Sequence, residues 1–417
     1  MPRRLAGKGP NRLKLGTVSR REVFAEAGHS VVIVGPTQSG KTTRLVLPAI
    51  ESWDGPVLVS SVKDDVLRAT MEQRLARGPV AVIDPGKVTH FPTVSWNPMA
   101  SVGTFNDARR LARDLCSASS ATVPSGDEAF WLAAAARMLA PLLLAAALSA
   151  ATLGELLSWI SEQQLSEPLA ILLAASEHDA YRVVLGSLDR DPRQSSSITT
   201  TIEVVVESLI DGGAGTGAPL VVDQLLGAKG TLYLCAPLRD QDRSRGMLTA
   251  IRNEVIDHAL QRAASEGGRL RQPLLVVQDE AAQLAGLETL AQLAATGVGQ
   301  GITLLTVFQD IGQVVARHGA LGTSLVLNHR ARVLCAGSID PTTVQLFRDL
   351  SGEEVVETTS TTRAKGELST HTQRECRPRL RGEQLVALRR GQAIVLYDTE
   401  RPFVVTLGEM PNKKTAK

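Results

Sequence analysis

Aromatic residues are scarce in this 417-residue chain, with Phe, Trp and Tyr together making up 3%. That scarcity excludes an extended platform of stacked rings for reading unpaired bases, so any contact with nucleic acid is expected to be electrostatic and weakly sequence-selective. Cysteine is also sparse. Cys116, Cys235, Cys335 and Cys376 lie far apart, with no C-x-x-C pair and no histidine at ligand spacing. This argues against a zinc knuckle and fits a reduced, cytoplasmic setting. The N-terminal segment lacks the apolar stretch of a secretory leader, and no internal repeat is visible.

Charge of either sign is nearly balanced, at a net +2, but it is unevenly spread. Arg3, Arg4, Lys8, Arg12, Lys14, Arg20 and Arg21 all precede the first acid, Glu22, so residues 1–22 read as a basic arm. A second basic stretch runs from Arg363 to Arg390, and residues 409–417 read as a basic, disordered tail. Such segments suit phosphate-rich or anionic-lipid partners. The apolar run Trp131–Ala150 is long enough to span a bilayer. Arg137 and Pro141 inside it, and its weakly apolar alanines, favour a buried helix instead, leaving no transmembrane helix in the chain. Within the same region Trp131 and Trp159 read as core residues more than as a docking surface.

What the chain does have is a strand, Val31–Val34, running into Gly35-Pro36-Thr37-Gln38-Ser39-Gly40-Lys41-Thr42, the Walker A pattern G-x-x-x-x-G-K-[ST]. Gly35 and Gly40 let the loop turn its N–H groups inward as an anion nest. Lys41 supplies a point charge for the outer phosphates, and Thr42 offers a hydroxyl to Mg²⁺. Thr43 and Arg44 open a helix whose positive end faces the phosphates. ATP with Mg²⁺ is the expected ligand, bound by residues 35–43.

Strand and helix signals then alternate to about Pro98, predicting a parallel sheet with crossover helices. Between Asn106 and Asp189 helical spacing of Ala, Leu, Ser and Glu dominates, and afterwards strands return. The reading is an α/β nucleotide-binding domain, a RecA-like P-loop core, made of residues 23–105 and 190–408 and interrupted by an all-α insert at 106–189. In its second part Leu274–Gln278 ends in Asp279-Glu280, the Walker B pattern of hydrolysing NTPases: Asp279 beside the metal and Glu280 as base for an attacking water. A competing strand, Val80–Ile83, ends in Asp84-Pro85-Gly86, which reads as a turn. Gln309, after the strand Ile302–Phe308, is a candidate γ-phosphate sensor. Arg330 and Arg332 are candidates for a finger reaching a neighbouring subunit's nucleotide. A guanine reader would need Asn or Thr where Val62 precedes Lys63-Asp64-Asp65, and no Ser-Gly-Gly-Gln signature of a transporter ATPase is present.

Taken together these segments resemble the type IV secretion coupling proteins, the TraG/TraD-like conjugation ATPases, particularly those of actinobacteria. The resemblance is carried by HSVVIVGPTQSGKTT at His29–Thr43, WDGPVLVSSVKDDVL at Trp53–Leu67, AVIDPG at Ala81–Gly86, SWNPM at Ser95–Met99 and FWLAAAARMLAPLL at Phe130–Leu143. It continues through SSSITTT at Ser195–Thr201, DEAAQL at Asp279–Leu284, and GQGI followed by FQD at Gly299–Asp310. It implies a homo-hexameric ring that hydrolyses ATP to move single-stranded DNA, or a relaxase–DNA complex, toward a secretion channel. Lys41 and Thr42 would contact phosphate and Mg²⁺, Asp279 and Glu280 would be the Walker B acids, and Gln309 the strand-end glutamine. Most members of that family begin with transmembrane helices, and none precedes this P-loop. Attachment to type IV secretion membrane components, or peripheral docking of the basic arm at the inner face of the membrane, is the corresponding expectation. Coupling to secreted protein effectors, or a nucleotide-switched scaffold with little turnover, are the alternatives.

Overall fold

Short runs of aliphatic and β-branched residues bounded by Gly, Pro and Asp set the strands, and their complete burial marks a sheet covered on both faces. The computed structural model describes residues 5, 7–120, 126–188, 191–215, 217–235, 241–281, 286–364 and 367–408. In chain order the first half supplies β1 (Lys14–Val18), β2 (Arg21–Phe24), β3 (Val31–Val34), α1 (Leu47–Ser52), β4 (Val57–Ser61), α2 (Asp65–Leu75) and β5 (Val80–Ile83). Then come the helices α3 (Phe105–Ser117), α4 (Gly126–Ser149), α5 (Leu153–Ser161), α6 (Ser166–Ala174), α7 (His178–Leu185), α8 (Pro192–Asp211) and α9 (Val222–Gly227). The second half adds β6 (Thr231–Cys235), α10 (Gln241–Ser265), β7 (Leu274–Gln278), α11 (Leu287–Gln300), β8 (Ile302–Phe308), α12 (Ile311–Asn328) and β9 (Ala331–Cys335). It ends with α13 (Pro341–Leu350), β10 (Glu353–Ala364), β11 (Glu367–Pro378), α14 (Gly382–Val386), β12 (Gln392–Tyr397) and β13 (Phe403–Thr406).

One 11-stranded sheet is ordered β2-β1-β13-β12-β9-β3-β8-β7-β4-β6-β5. From β9 to β5 every neighbour is parallel, while β12, β13, β1 and β2 extend it antiparallel. The period-2 alternation of β-strands divides the core. Val32, Val34, Leu58, Val276 and Leu304 pack on one side together with the helical insert, and Val31, Ile33, Val59, Val277 and Leu305 pack on the other. The insert therefore shares one continuous core with the sheet. Its axis is α4, which by length and composition alone could cross a membrane. Here Leu139 to Ala146 are buried, α3, α6, α7 and α8 pack around the helix, and Arg137 is exposed. Trp159 is buried, its indole N–H donating to Glu167 at 3.0 Å, as a core residue would be.

Two expectations need correction, and the second basic stretch acquires a structure. The described part of residues 1–22 is not a free arm: Leu5, Leu13 and Leu15 are buried, and the chain forms β1 and β2, of which β2 is the edge of the sheet and β1 lies between it and β13. The helical unit does not stop at 189. The Thr- and Val-rich run after Pro192 reads as strand by propensity, yet Asp191 caps it and Ile198, Ile202, Val205, Val206 and Leu209 repeat at helical spacing against α4 and α5. The basic stretch from Arg363 contains most of β11 and the end of β10, which form a separate two-stranded ribbon with cross-strand partners from Glu353↔Pro378 to Ala364↔Glu367. The 409–417 tail lies outside the described residues.

Two buried basic side chains, one charged and one neutral, tie the sheet to its flanks. Arg74 is fully buried, yet it faces carbonyls in place of a carboxylate: its guanidinium donates to Trp53 O and Gly55 O at 2.8 Å, to Lys229 O at 3.0 Å and to Thr231 Oγ1 at 2.7 Å. It thereby satisfies the chain reversal after α1 and the entry to β6 together. His329, also fully buried, pairs with Thr306 at 3.0 Å and with the Leu325 carbonyl at 2.7 Å, and burial pushes its pKa down to about 4.

Arg74→Met should lower stability by about 3 kcal/mol in denaturant titration, because several buried carbonyls lose their donor while shape is roughly kept. For His329 the folded pKa lies below the free value of 6.5, so the unfolded chain takes the proton first. Stability should therefore fall as pH drops from about 6.5 toward 4, by about 3 kcal/mol in the limit, and His329→Asn should flatten that slope in thermal melts.

Candidate nucleotide site

The candidate site forms where the parallel strands end. β3 delivers the loop Gly35–Lys41, and the Gly35 N–H donates to Phe308 O of the neighbouring β8 at 3.1 Å, so the loop is pinned to the adjoining strand end. Gly35 is obligatory for space: a β-carbon there would stand 2.7 Å from Cys335 Cβ and 2.8 Å from Ser39 Oγ. Gln38 at φ 63° and Gly40 at φ 90° occupy the left-handed region before Lys41 returns to the helical one, the alternation that builds anion nests. The chain then enters a widened helical turn, Thr42–Val46, in which the Leu47 N–H reaches back to Thr42 O.

Lys41 is buried, its ammonium resting on the Pro36 carbonyl at 3.2 Å. Desolvation lowers its pKa, with Asp279 and Glu280 opposing. Asp279 follows β7, two strands from β3. Its N–H donates to Ser60 O of β4 at 2.9 Å, and its carboxylate oxygen Oδ1 is buried with no hydrogen-bond partner. Burial first, then Glu280 and Asp65, push its pKa up to about 6, while Lys41 and Lys63 pull the other way. Glu280 is held at φ 58°, a costly conformation for a residue with a β-carbon, and such strain collects at functional sites. Gln309 stands at the tip of β8, between the ends of β3 and β7. The rest of the DEAAQL segment, Ala282–Leu284, lies outside the described residues.

Asp84 is excluded as the metal-side acid: β5 is the far edge of the sheet, and its carboxylate accepts the Thr89 N–H at 2.6 Å to close a turn. Arg330 and Arg332 lie at the opposite end of the sheet from the loop, since Ala331 and Arg332 register with Val31 and Val32 at the start of β3. Arg330 pairs with Asp398 at 3.1 Å. Arg332 donates to the carbonyls of Val326, at 3.2 Å, and Leu327, so it clamps the C-terminal turn of α12. Sequence reasoning missed the groups contributed by the end of β4, Lys63 and Asp65, whose only signal was that an α/β sheet gathers its sites at strand ends. It also missed Cys335, the floor of the loop, whose thiol burial pushes up to about 12.

The donor set fits a magnesium-bound triphosphate. A buried, unpartnered carboxylate oxygen at Asp279 is a hard ligand without a ligand-bound ion, and Ser39 Oγ is likewise buried and unpaired. A phosphate loop, a carboxylate pair two strands away and a polar strand end between them form a candidate nucleotide site on a RecA-like α/β core. The chain belongs to the family described as Type IV secretory system Conjugative DNA transfer, whose profile matches residues 5–406. It is 22% identical over 411 residues to protein VirD4 of Rhizobium radiobacter, covering 93% of this chain and 56% of that one. It is 24% identical over 322 residues to the conjugal transfer protein TraG of Escherichia coli, covering 70% and 50%. The chain thus spans about half the length of these curated relatives. Its fold is that of the bacterial conjugative coupling protein TrwB, with TM-score 0.75 at 17% identity over 99% of this chain and 92% of the unbound form. TrwB in complex with ADP and Mg²⁺ superposes with TM-score 0.73 at 18% identity, covering 99% of this chain and 93% of that one.

Asp279→Asn removes a buried charge that its neighbours Glu280 and Asp65 disfavour. The nucleotide-free variant should melt about 1–3 °C higher than wild type at pH 7.5, while losing Mg²⁺-dependent tightening of nucleotide binding, as read by differential scanning fluorimetry with and without Mg²⁺.

Proposed function

We propose that the chain is the ATP-hydrolysing motor core of a coupling protein that delivers single-stranded DNA, or a relaxase–DNA complex, to a type IV secretion channel. The observation that carries the reading is the buried, unpartnered Asp279 carboxylate with Glu280 beside it, facing Lys41 across β8 in a chain of the conjugative DNA transfer family. In this reading residues 35–43 wrap the phosphates, and Lys41 exchanges its Pro36 carbonyl for phosphate oxygen. Thr42 and Asp279 would hold Mg²⁺, which would supply neutralisation of the charge that develops on the phosphates. Gln309 orients a water, and Glu280 accepts its proton as the water oxygen attacks the γ-phosphorus and the bridging oxygen leaves with ADP. Neither candidate arginine reaches this site within its own chain, so a finger has to come from a neighbour in a ring, the homo-hexamer that this reading requires. Of the two, Arg330 is the better placed, being exposed while Arg332 serves α12. We place the motor at the cytoplasmic face of the membrane beside the secretion components. Nearly balanced charge and few aromatic residues suit a translocase that slides without reading sequence.

ATP turnover should require Lys41, rise with single-stranded DNA and increase cooperatively with protein concentration. Glu280→Gln should cut it by about 10² or more while leaving ATP binding intact. DNA affinity should fall steeply with salt. Lys41-dependent turnover indifferent to DNA would favour protein effectors as cargo, and absent turnover would favour a nucleotide-switched scaffold.

A further inference from the structure

Arg44 is electrostatically misplaced for a structural residue. It lies in the first turns of the helix that leaves the phosphate loop, where the helix dipole is positive, and Lys41 is only one turn before it. A cation there is disfavoured unless an anion arrives. Among the described residues no carboxylate pairs with it, and its Nε is buried without a hydrogen-bond partner. The side chain is nevertheless tightly placed. Its backbone N–H donates to Gly40 O at 2.9 Å, and its stem lies over Gly40, where a β-carbon would come within 2.9 Å of Cδ and 3.1 Å of Nε. The guanidinium ends at the loop before β12, where a β-carbon on Gly391 would stand 2.7 Å from Nη1. That loop is itself fixed, because Leu407 N–H donates to Gly391 O at 2.8 Å and Ala336 N–H donates to Gln392 O at 3.1 Å. Two further cations, Arg389 and Arg390, immediately precede Gly391.

The strand order gives this cation a direction. Asp279, Glu280 and Gln309 stand on the β8–β7 side of β3, whereas β9 and β12, with Gly391, stand on the other. A triphosphate whose γ-phosphate meets the carboxylate pair extends its α-phosphate and nucleoside toward β9 and β12. Arg44 is the cation on that path. We propose that the Arg44 guanidinium binds the α-phosphate and thereby anchors the nucleoside end of the nucleotide, its far end lying against Gly391, a glycine that its own φ of 85° already favours. The proposal rests on the nucleotide reading of the site and adds a positioning residue to it.

The test is calorimetric titration of ATP and ADP, each with Mg²⁺, into wild type, Lys41→Ala, Arg44→Ala and Arg44→Lys, with thermal melts of the nucleotide-free proteins. Arg44→Ala should weaken ATP and ADP alike by about tenfold or more, as expected for a lost charge-assisted hydrogen bond, and Arg44→Lys should recover most of the loss. Nucleotide-free Arg44→Ala should melt no lower than wild type, since the residue stabilises nothing without an anion. A variant that loses ATP affinity while keeping ADP affinity would place the guanidinium at the γ end and overturn the proposal. So would unchanged affinity for both, and so would a lower melting temperature with unchanged affinity, which marks a packing role. Wild-type protein that fails to bind either nucleotide in a Lys41-dependent way would instead defeat the underlying reading of the site.

Discussion

The wedge of β8 between β3 and β7 governs the chemistry of this molecule. The phosphate loop and the carboxylate pair come from strands that do not touch, and their separation is set by one intervening strand paired with both. Because β8 carries Gln309 at its tip and accepts the Gly35 N–H at Phe308 O, it spaces the two halves of the site and supplies a polar group between them. The same parallel geometry leaves strand-end carbonyls and side chains to be satisfied at one edge. Most are: Asp84 closes a turn, Asp310 caps α12 through the Gln313 N–H at 2.7 Å, and Ser60 O takes the Asp279 N–H. Among the buried polar atoms without a hydrogen-bond partner, Ser39 Oγ, Asp279 Oδ1 and Arg44 Nε lie on the loop, at the metal-side acid and on the helix that leaves the loop, where a highly charged ligand would supply the missing contacts.

Much of this was legible in one dimension because it is written contiguously. The loop, its preceding strand and the Asp279-Glu280 strand each occupy a short segment whose residue types are dictated by local chemistry. The alternation of strand and helix fixed the class of fold. What escaped detection depends on neighbours distant in sequence. β1 and β2 are short strands at one margin of the sheet that begin with Lys14 and Arg21, so their charge masked their pattern. Helix α8 is built from Ser, Thr, Ile and Val, and packing against α4 and α5 overrides that propensity. Arg330 and Arg332 looked available because the sequence does not show that β9 pairs parallel with β3, which puts the start of β9 at the end of the sheet away from the phosphate loop. Arg44 and Cys335 acquire meaning only through Gly391 and Gly35, which approach them in space.

The helical insert is not a detachable module on a finished motor. Leu111, Leu115, Leu139 and Val206 belong to the same cluster as Val32, Val34 and Val276 of the sheet. A rearrangement at the strand ends that repacks this side of the sheet has to be accommodated by α10, which packs on α3 and α8 of the insert. Arg252 sits at that junction, fully enclosed, donating to Gly286 O at 3.0 Å at the start of α11, shortly after the carboxylate pair. The physical link from the site to the insert is therefore short and well packed.

The wedge also has a consequence for how the chain is made. Val31 pairs with Leu305, and β4 awaits both β6 and β7, so β3 and β4 receive their partners only after the whole insert has been translated. Until then β3 and β4, apolar on both faces, leave the ribosome with open edges and nothing to close them. Non-local parallel pairing of this kind folds slowly. Biosynthesis of this protein thus passes through a prolonged interval in which its central strands are open to chaperones and to one another, and yield in a cell is set as much by that interval as by the stability of the finished sheet.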